Sequence, residues 1–306
     1  MFKKILIFIL ILIGVTFVTF SITKALPGDP VLNLVGERAQ PEVIDKLRKE
    51  LGINKDVFSQ YFSYVKLLAR GEFGRSYYTN RKVFDDLLKK FPNTLMLSLT
   101  AMIIAVPSGM FLGFICAWKK DKWIDKLFSF ITLMGLSIPV FWGGLVIMLL
   151  FSLKFKLFPP SGTGNFKFIF LPALTLSIPA MSMLSRVTKT TLIDIFGMPY
   201  INTARSKGIS EIKVNLIHVT KNALIPIITV IGLDFASYIN GAVLTETIFG
   251  WDGIGRFIME GILKRDYPVI MGCVIIGTFA FVIINTLVDL IYHFIDPRVS
   301  MYEIKG

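Results

Sequence analysis

Few residues of this 306-residue sequence could perform covalent chemistry, and none of them falls into a pattern that does so. The two histidines, His218 and His293, stand far apart, with no Cys/His group at metal-ligand spacing. No Gly-x-Ser-x-Gly elbow occurs. There is also no G-x-x-x-x-G-K-[ST] phosphate loop, so the chain does not bind and hydrolyse ATP by that route. Cys116 and Cys273 both lie in apolar runs and are expected as free thiols. What remains is the chemistry of charge and docking. The polar stretch Pro199 to Pro226, PYINTARSKGISEIKVNLIHVTKNALIP, sets Arg205, Lys207, Lys213 and Lys221 against one acid, Glu211. Pro199 suits the first turn of a helix and Gly208 the residue just past its end, which predicts a short helix over 200–207. Tyr200, Ile201 and Ala204 then share one face, small and apolar enough to press into another protein's groove. Thr203, Arg205 and Lys207 belong to the same candidate docking element, and Gly208 closes it with a positive φ. A second candidate is Asp234, a lone carboxyl in an apolar run, with Ser237 and Tyr238 three and four residues further along the same helical face.

The elements that carry these residues are membrane helices. Hydrophobic residues make up 54% of the chain, mean hydropathy is +0.66, and several apolar runs approach the ~20 residues that cross a bilayer. Six spans are predicted, roughly 5–25, 94–117, 127–153, 169–190, 223–245 and 267–295, with Pro172 and Pro179 interrupting the fourth. The first is read as a retained helix, longer than a signal-peptide core and without a clear cleavage site. Short alternating segments of a β-barrel are absent. The net charge of +12 does not indicate nucleic acid, because the basic residues flank apolar runs instead of forming one patch. They cluster at the amino terminus, at 119–126, at 186–222 and at the carboxy terminus, which predicts both termini and the loop 191–222 on the cytoplasmic side. The segment 26–93 then faces outward, with helices expected at 41–51 and 56–69. In the second, Phe58, Tyr61, Phe62, Val65 and Leu68 form a stripe expected to pack on the membrane core. The core itself is 94–295, and 296–306 is a cytoplasmic tail.

Motifs in order along the chain carry a resemblance. Pro27-Gly28-Asp29-Pro30 follows the first span. Leu51-Gly52, Gln60-Tyr61 and Gly71-Glu72-Phe73-Gly74-Arg75-Ser76 come next, then Pro92, Thr94 and Leu95, then Ser137, Pro139 and Phe141, then Leu171-Pro172-Ala173-Leu174. Asn202, Thr203, Ala204 and Gly208 occupy the places of a Glu-Ala-Ala, three residues, Gly loop, of which the second Ala and the Gly are kept. Val243-Leu244-Thr245-Glu246-Thr247-Ile248-Phe249, Trp251, Gly253-Ile254-Gly255, Arg265-Asp266-Tyr267-Pro268-Val269 and Asp296-Pro297-Arg298 complete the series. The sequence resembles the permease subunits of dipeptide/oligopeptide/nickel ABC importers, in the first of their two permease types. Asp252 departs from it, standing where that family usually has proline.

The resemblance implies an all-α integral membrane protein of six transmembrane helices, with the type I ABC importer permease fold and a helical extracytoplasmic segment between helices 1 and 2. It further implies a non-catalytic subunit of a bacterial or archaeal plasma (inner) membrane importer for dipeptides or oligopeptides. Its partners would be a second permease, two cytoplasmic ATP-binding subunits and an extracytoplasmic solute-binding protein. No cofactor would be bound here, ATP and Mg belonging to the ATPases. Helix 200–207 would couple to an ATPase, while Asp234, Ser237 and Tyr238 would line the path between the permeases. The loop from Thr245 to Arg256, with Glu246, Phe249 and Trp251, would lie near the external gate, its aromatic residues anchoring at the interface or plugging the path. Nickel or another small solute is the alternative cargo. A proton-coupled secondary transporter is a different class of mechanism, but Asp234 and Asp289 are few ionisable groups for a proton relay. A structural or assembly membrane protein, the third class, would need no coupling loop.

Overall fold

The computed structural model describes residues 2–25, 30–36, 39–50, 52–54, 56–210, 213–214 and 219–295. Pro27 to Asp29, Leu51, Glu211, His218 and the tail 296–306, with its Asp296-Pro297-Arg298 motif, lie outside them. Among the described residues the regular elements are helices: α1 (Phe2–Ala25), α2 (Pro30–Val35), α3 (Pro41–Glu50), α4 (Val57–Ala69), α5 (Val83–Trp118), α6 (Trp123–Ser137), α7 (Val140–Met148), a π-helical turn (Leu149–Lys154), α8 (Phe166–Phe196), α9 (Pro199–Ser206), α10 (Thr220–Ile239), α11 (Val243–Ile248), α12 (Ile254–Lys264) and α13 (Tyr267–Ile295). Four of them, α5, α8, α10 and α13, are long and apolar enough to cross a membrane, and the bent pair α6–α7 makes a fifth span. With the apolar α1 this gives the six spans of an all-α membrane protein.

Three spans differ in detail from expectation. The third is two helices bent by 101°. Ile138, the residue before Pro139, adopts an extended φ of −76° and ψ of 123°, because the proline ring disfavours helical backbone in the residue before it. The fourth is not interrupted: α8 runs through both Pro172 and Pro179, as buried membrane helices can when neighbours cover the freed backbone groups. The fifth ends early, at Ile239, where Gly241 takes a φ of +103° and turns the chain into α11.

The chain forms two compact units. One comprises residues 1–95 and 240–282, the other 96–239 and 283–306. In the second unit α8 is the central helix, packed by α6, α7 and α10. Close approach to α5 depends on a Gly-x-x-x-Gly pair. A Cβ on Gly109 would lie 2.7 Å from the Met181 carbonyl, and one on Gly113 would lie 2.5 Å from that of Ser185. In a bilayer, where lipid is as apolar as the side chains, such backbone proximity is a main source of helix association.

In the first unit α3 and α4 lie close to their expected ranges. Asp56 caps α4 by accepting the Ser59 N–H at 2.9 Å. The stripe on α4 is only partly used. Tyr61 packs edge-on against Phe17 of α1, with ring centroids 5.6 Å apart, but Phe58 and Phe62 remain 70% and 68% exposed. Helical spacing puts these aromatics on one side, of which α1 meets the part at Tyr61.

Candidate functional sites

The predicted docking helix is present as α9, with Pro199 at its first position. Gly208 takes the left-handed φ of +76° that ends it. The Gly208 N–H donates to Arg205 O at 2.9 Å and the Ile209 N–H to Ala204 O at 3.3 Å, satisfying carbonyls that a helix end leaves open. The apolar face does not point outward, however. Ile201 is fully buried and Ala204 is 6% exposed, in a cluster with Leu184, Leu192 and Ile195 of α8, Val214, Val219, and Ala223 and Ile227 of α10. This corrects the expectation that Ile201 and Ala204 enter a partner's groove: an apolar pair on a short helix was the chain's own core. Every other residue from Pro199 to Gly208 is exposed, including Tyr200, Asn202, Thr203, Arg205 and Lys207. The Tyr200 hydroxyl accepts the Asn222 amide N–H at 3.0 Å. Thus α9 is fastened to the end of α8 and to the start of α10.

Deeper in this unit lies an ion pair that sequence reasoning missed. Lys189 of α8 binds Asp125 at the start of α6 and donates to Ser129 Oγ at 3.0 Å. Ser129 donates to Asp125 Oδ1 at 3.0 Å, and the Asp121 N–H donates to Oδ2 at 3.1 Å. Asp125 is 4% exposed, and its charge is met on both oxygens, as a buried carboxylate requires. An isolated acid opening an apolar run was the available sequence signal.

The three predicted path residues have different surroundings within the chain. Tyr238 donates its hydroxyl to the Leu176 carbonyl at 2.8 Å and packs with Met102, Ala105 and Ala180. Its hydroxyl is thus engaged in helix packing within the chain. Ser237 is exposed. Asp234 is half-buried, and its Oδ2 has no hydrogen-bond partner.

The loop after α10 also departs from expectation. Trp251 and Glu246 are completely buried and Phe249 is 2% exposed, so the aromatic pair is neither an interfacial anchor nor an exposed plug. It is the core of the first unit. Trp251 Nε1–H donates to the Asn93 carbonyl at 3.0 Å, and Asn93 returns its side-chain amide to Asp252 O at 2.7 Å. Glu246 accepts the Thr94 hydroxyl at 2.8 Å and the Arg256 N–H at 3.0 Å. Thr94 Oγ1 in turn accepts the Ile254 N–H at 2.8 Å. Gly253 has ordinary extended backbone, φ −111° and ψ −176°. It is required for space, since a Cβ there would strike the Glu246 carboxylate and the Thr94 hydroxyl. Gly255 is equally crowded, its Cβ position being 2.9 Å from Val243 Cα. Burial pushes the Glu246 carboxyl above its ordinary range, while the Thr94, Arg256 and Gly255 donors oppose the shift. Asp252 forms an ion pair with Lys90 of α5, which gives the residue in the usual proline position a structural partner. The turn motif around Gly253 is therefore a clamp that fastens α11 and α12 to the first turns of the second span.

The family described as the inner membrane component of binding-protein-dependent transport systems matches residues 109–301. Its amino-terminal companion, the N-terminal region of such membrane components, matches residues 1–100. The chain belongs to this family. It is a multi-pass membrane permease component of a binding-protein-dependent transport system. Among its relatives is the dipeptide transport system permease protein DppB of Alkalihalophilus pseudofirmus, 37% identical over 97% of this chain and 98% of the relative. The di/tripeptide transport system permease protein DppB of Pseudomonas aeruginosa is 35% identical, over 94% of each chain. The glutathione transport system permease protein GsiC of Escherichia coli K12 is 34% identical over 97% of each. The fold is that of the permease in the inward-facing MetNI methionine ABC transporter, with TM-score 0.57 at 15% identity over 69% of this chain and 96% of that one.

Proposed function

We propose that this permease is one of two related membrane subunits of an ATP-driven importer of short peptides, two cytoplasmic ATPases supplying the energy and an extracytoplasmic binding protein the cargo. The observation that carries the reading is the relatives. Dipeptide, di/tripeptide and glutathione permeases align along almost the whole chain at 34–37% identity, and all three cargoes are short peptides. Both termini and 191–222 face the cytoplasm in this reading, because basic residues concentrate there.

Coupling runs through α9. Its outer face, with Tyr200, Thr203, Arg205, Lys207 and the Gly208 turn, docks on an ATPase, while Ile201 and Ala204 hold the helix to α8 and α10. Closure of the ATPase dimer displaces α9 and with it both spans, a rigid-body switch of access. Asp234 and Ser237 face the path shared with the second permease, where an intramembrane carboxyl costs least when it meets water or protein.

The test is uptake of labelled dipeptide by cells in which the gene is deleted and then restored on a plasmid. Restored, ATP-dependent uptake that unlabelled peptides compete with is the expected result. Uptake unchanged by the deletion, or competition by nickel chelates and not by peptides, overturns the peptide assignment.

A further inference from the structure

Helix α4 has three faces. At about 100° per residue, Tyr61 and Leu68 share the side that meets α1. Phe58, Phe62 and Ala69 lie on the next side, and Ser63, Lys66 and Arg70 on the one beyond it. The second side is apolar and largely uncovered: the two aromatic rings are 70% and 68% exposed, and Ala69 is exposed with them. The third is polar and exposed. A helix with one packed face, one bare apolar face and one bare polar face is built for a boundary between hydrocarbon and water.

The contact with α1 fixes which hydrocarbon that is. The Tyr61 hydroxyl lies 3.2 Å from Thr16 Oγ1 and donates to the Ile13 carbonyl at 3.4 Å. Its ring packs on Phe17 and Phe20, with centroids 5.6 and 5.4 Å away. Lys24 stands in the last turn of α1, and Thr16 precedes it by about two turns, roughly 12 Å along the axis at 1.5 Å per residue. So α4 meets α1 well inside its charged end, alongside the apolar part that crosses the membrane. There the free side of α1 carries Phe17, Val18 and Ile22, all exposed, the surface that a spanning helix turns to lipid. Phe17 touches Tyr61, and Tyr61 touches Phe62 with centroids 6.1 Å apart. The lipid-facing surface of α1 therefore continues onto the aromatic face of α4.

We propose that α4 is an interfacial helix, its Phe58–Phe62 face immersed in the bilayer leaflet at the Lys24 end of α1 and its polar face turned to headgroups and water. With the amino terminus in the cytoplasm, this is the outer leaflet. The segment between the first two spans is then held against the membrane surface instead of standing free above it. Lys66 and Arg70 suit that level, because their long stems lie along apolar surface while the charges reach the phosphates. Lipid is the occupant that the continuity of the surface selects. It covers Phe58 and Phe62 together with Phe17 and Val18, whereas a soluble protein seated on α4 alone leaves the α1 side chains bare.

The test places nitroxide labels on single introduced cysteines in the full-length chain, reconstituted into phosphatidylcholine vesicles. The labelled positions are exposed, so the fold survives them, and the native Cys116 and Cys273 are buried and do not compete for reagent; the parent chain is the blank. Spin relaxation by dissolved oxygen, which partitions into acyl chains, is compared with relaxation by water-soluble chromium oxalate. Phe58→Cys and Phe62→Cys are expected to match the reference Val18→Cys on α1, keeping oxygen collisions and losing those with the chromium complex. Ser63→Cys and Arg70→Cys should show the reverse preference. Chromium contact at 58 and 62 equal to that at 63 puts the face in water and overturns the proposal. Collisions with neither probe put protein over the face, which overturns it too. So does loss of the oxygen collisions at 58 and 62 once the second permease and the binding protein are added, which assigns the face to a partner. The readout does not depend on cargo, so each of these failures leaves the transport assignment standing.

Discussion

Ser76 donates its hydroxyl to Asp266 Oδ2 at 2.5 Å, joining two residues 190 positions apart in the chain. The Tyr77 N–H reaches the other oxygen at 3.2 Å, and Ser76 Oγ also accepts the Thr79 N–H at 3.1 Å. Asp266 is 3% exposed and Ser76 5%. Two separate motifs, Gly-Glu-Phe-Gly-Arg-Ser and Arg-Asp-Tyr-Pro, are the two halves of one joint that anchors the segment before α5 to the start of α13. Asp266→Ala strands a buried hydroxyl and a backbone N–H, each costing about 1–3 kcal/mol. A thermal melt of the purified permease should fall by several degrees, and less for Asp266→Asn, which retains an acceptor.

The Glu246 clamp predicts a pH dependence. Burial raises the carboxyl above its ordinary 4.5, so the native state binds the proton more readily than the unfolded state does. The associated stability is fully present below the unfolded value and declines as pH rises from there through the native pKa. Wild type and Glu246→Gln should therefore differ in melting temperature by an amount that varies with pH across this window and levels off above it. A constant difference would show that the carboxyl titrates alike in both states. Gly253→Ala should destabilise at every pH, because its methyl group collides with Glu246 and Thr94.

Much of this was legible in the sequence for reasons that are local. Proline before and glycine after α9, the glycine following α3, and apolar runs of membrane length each report backbone requirements that need no tertiary knowledge. What failed was the assignment of faces. An apolar face at Ile201 and Ala204 suggests docking, and aromatics in a glycine-rich loop suggest an anchor or a plug at Phe249 and Trp251, yet all four are core. Helical spacing says which residues share a side, and only the neighbouring elements decide what that side meets. The Asp125–Lys189 pair is hidden for the same reason, its two members lying 64 positions apart on separate helices.

That ion pair predicts an asymmetric response to mutation. Removing one partner of a fully buried pair leaves an uncompensated charge, at a cost of about 3–5 kcal/mol, and less here because Lys189 reaches solvent. Lys189→Met strands Asp125, which is 6% exposed at its side chain, whereas Asp125→Asn strands a lysine that is 25% exposed and can turn to water. Lys189→Met should accordingly lower the melting temperature more than Asp125→Asn. Combining Lys189→Met with Asp125→Leu should recover much of the loss, and a double-mutant cycle would measure the coupling. Equal and additive effects would mean that the pair contributes nothing as a pair.

The two faces of α9 give the last prediction, since they separate anchoring from docking. Ile201 is fully buried against α8 and α10, so Ile201→Ala opens a cavity and costs about 2–5 kcal/mol. It should reduce thermal stability as well as transport. Arg205 and Lys207 are exposed at the end of the helix, and substitution of Lys207 should leave the melt within about 0.5 kcal/mol of wild type. If the outer face docks on an ATPase, Arg205→Glu with Lys207→Glu should abolish peptide-stimulated ATP hydrolysis in the assembled transporter while the subunits remain folded. Gly208→Val combines the two effects. A branched side chain at φ +76° is strained, and the end of α9 should shift without loss of the Ile201 anchor. Coupling would then fall more than stability does. The measurements are the melting temperature of each variant and its ATPase rate with and without loaded binding protein. If the charge reversal leaves stimulated hydrolysis intact, the ATPase contact lies elsewhere on the cytoplasmic surface. If Ile201→Ala abolishes coupling with an unchanged melt, Ile201 is a docking residue after all and α9 swings out when the complex assembles.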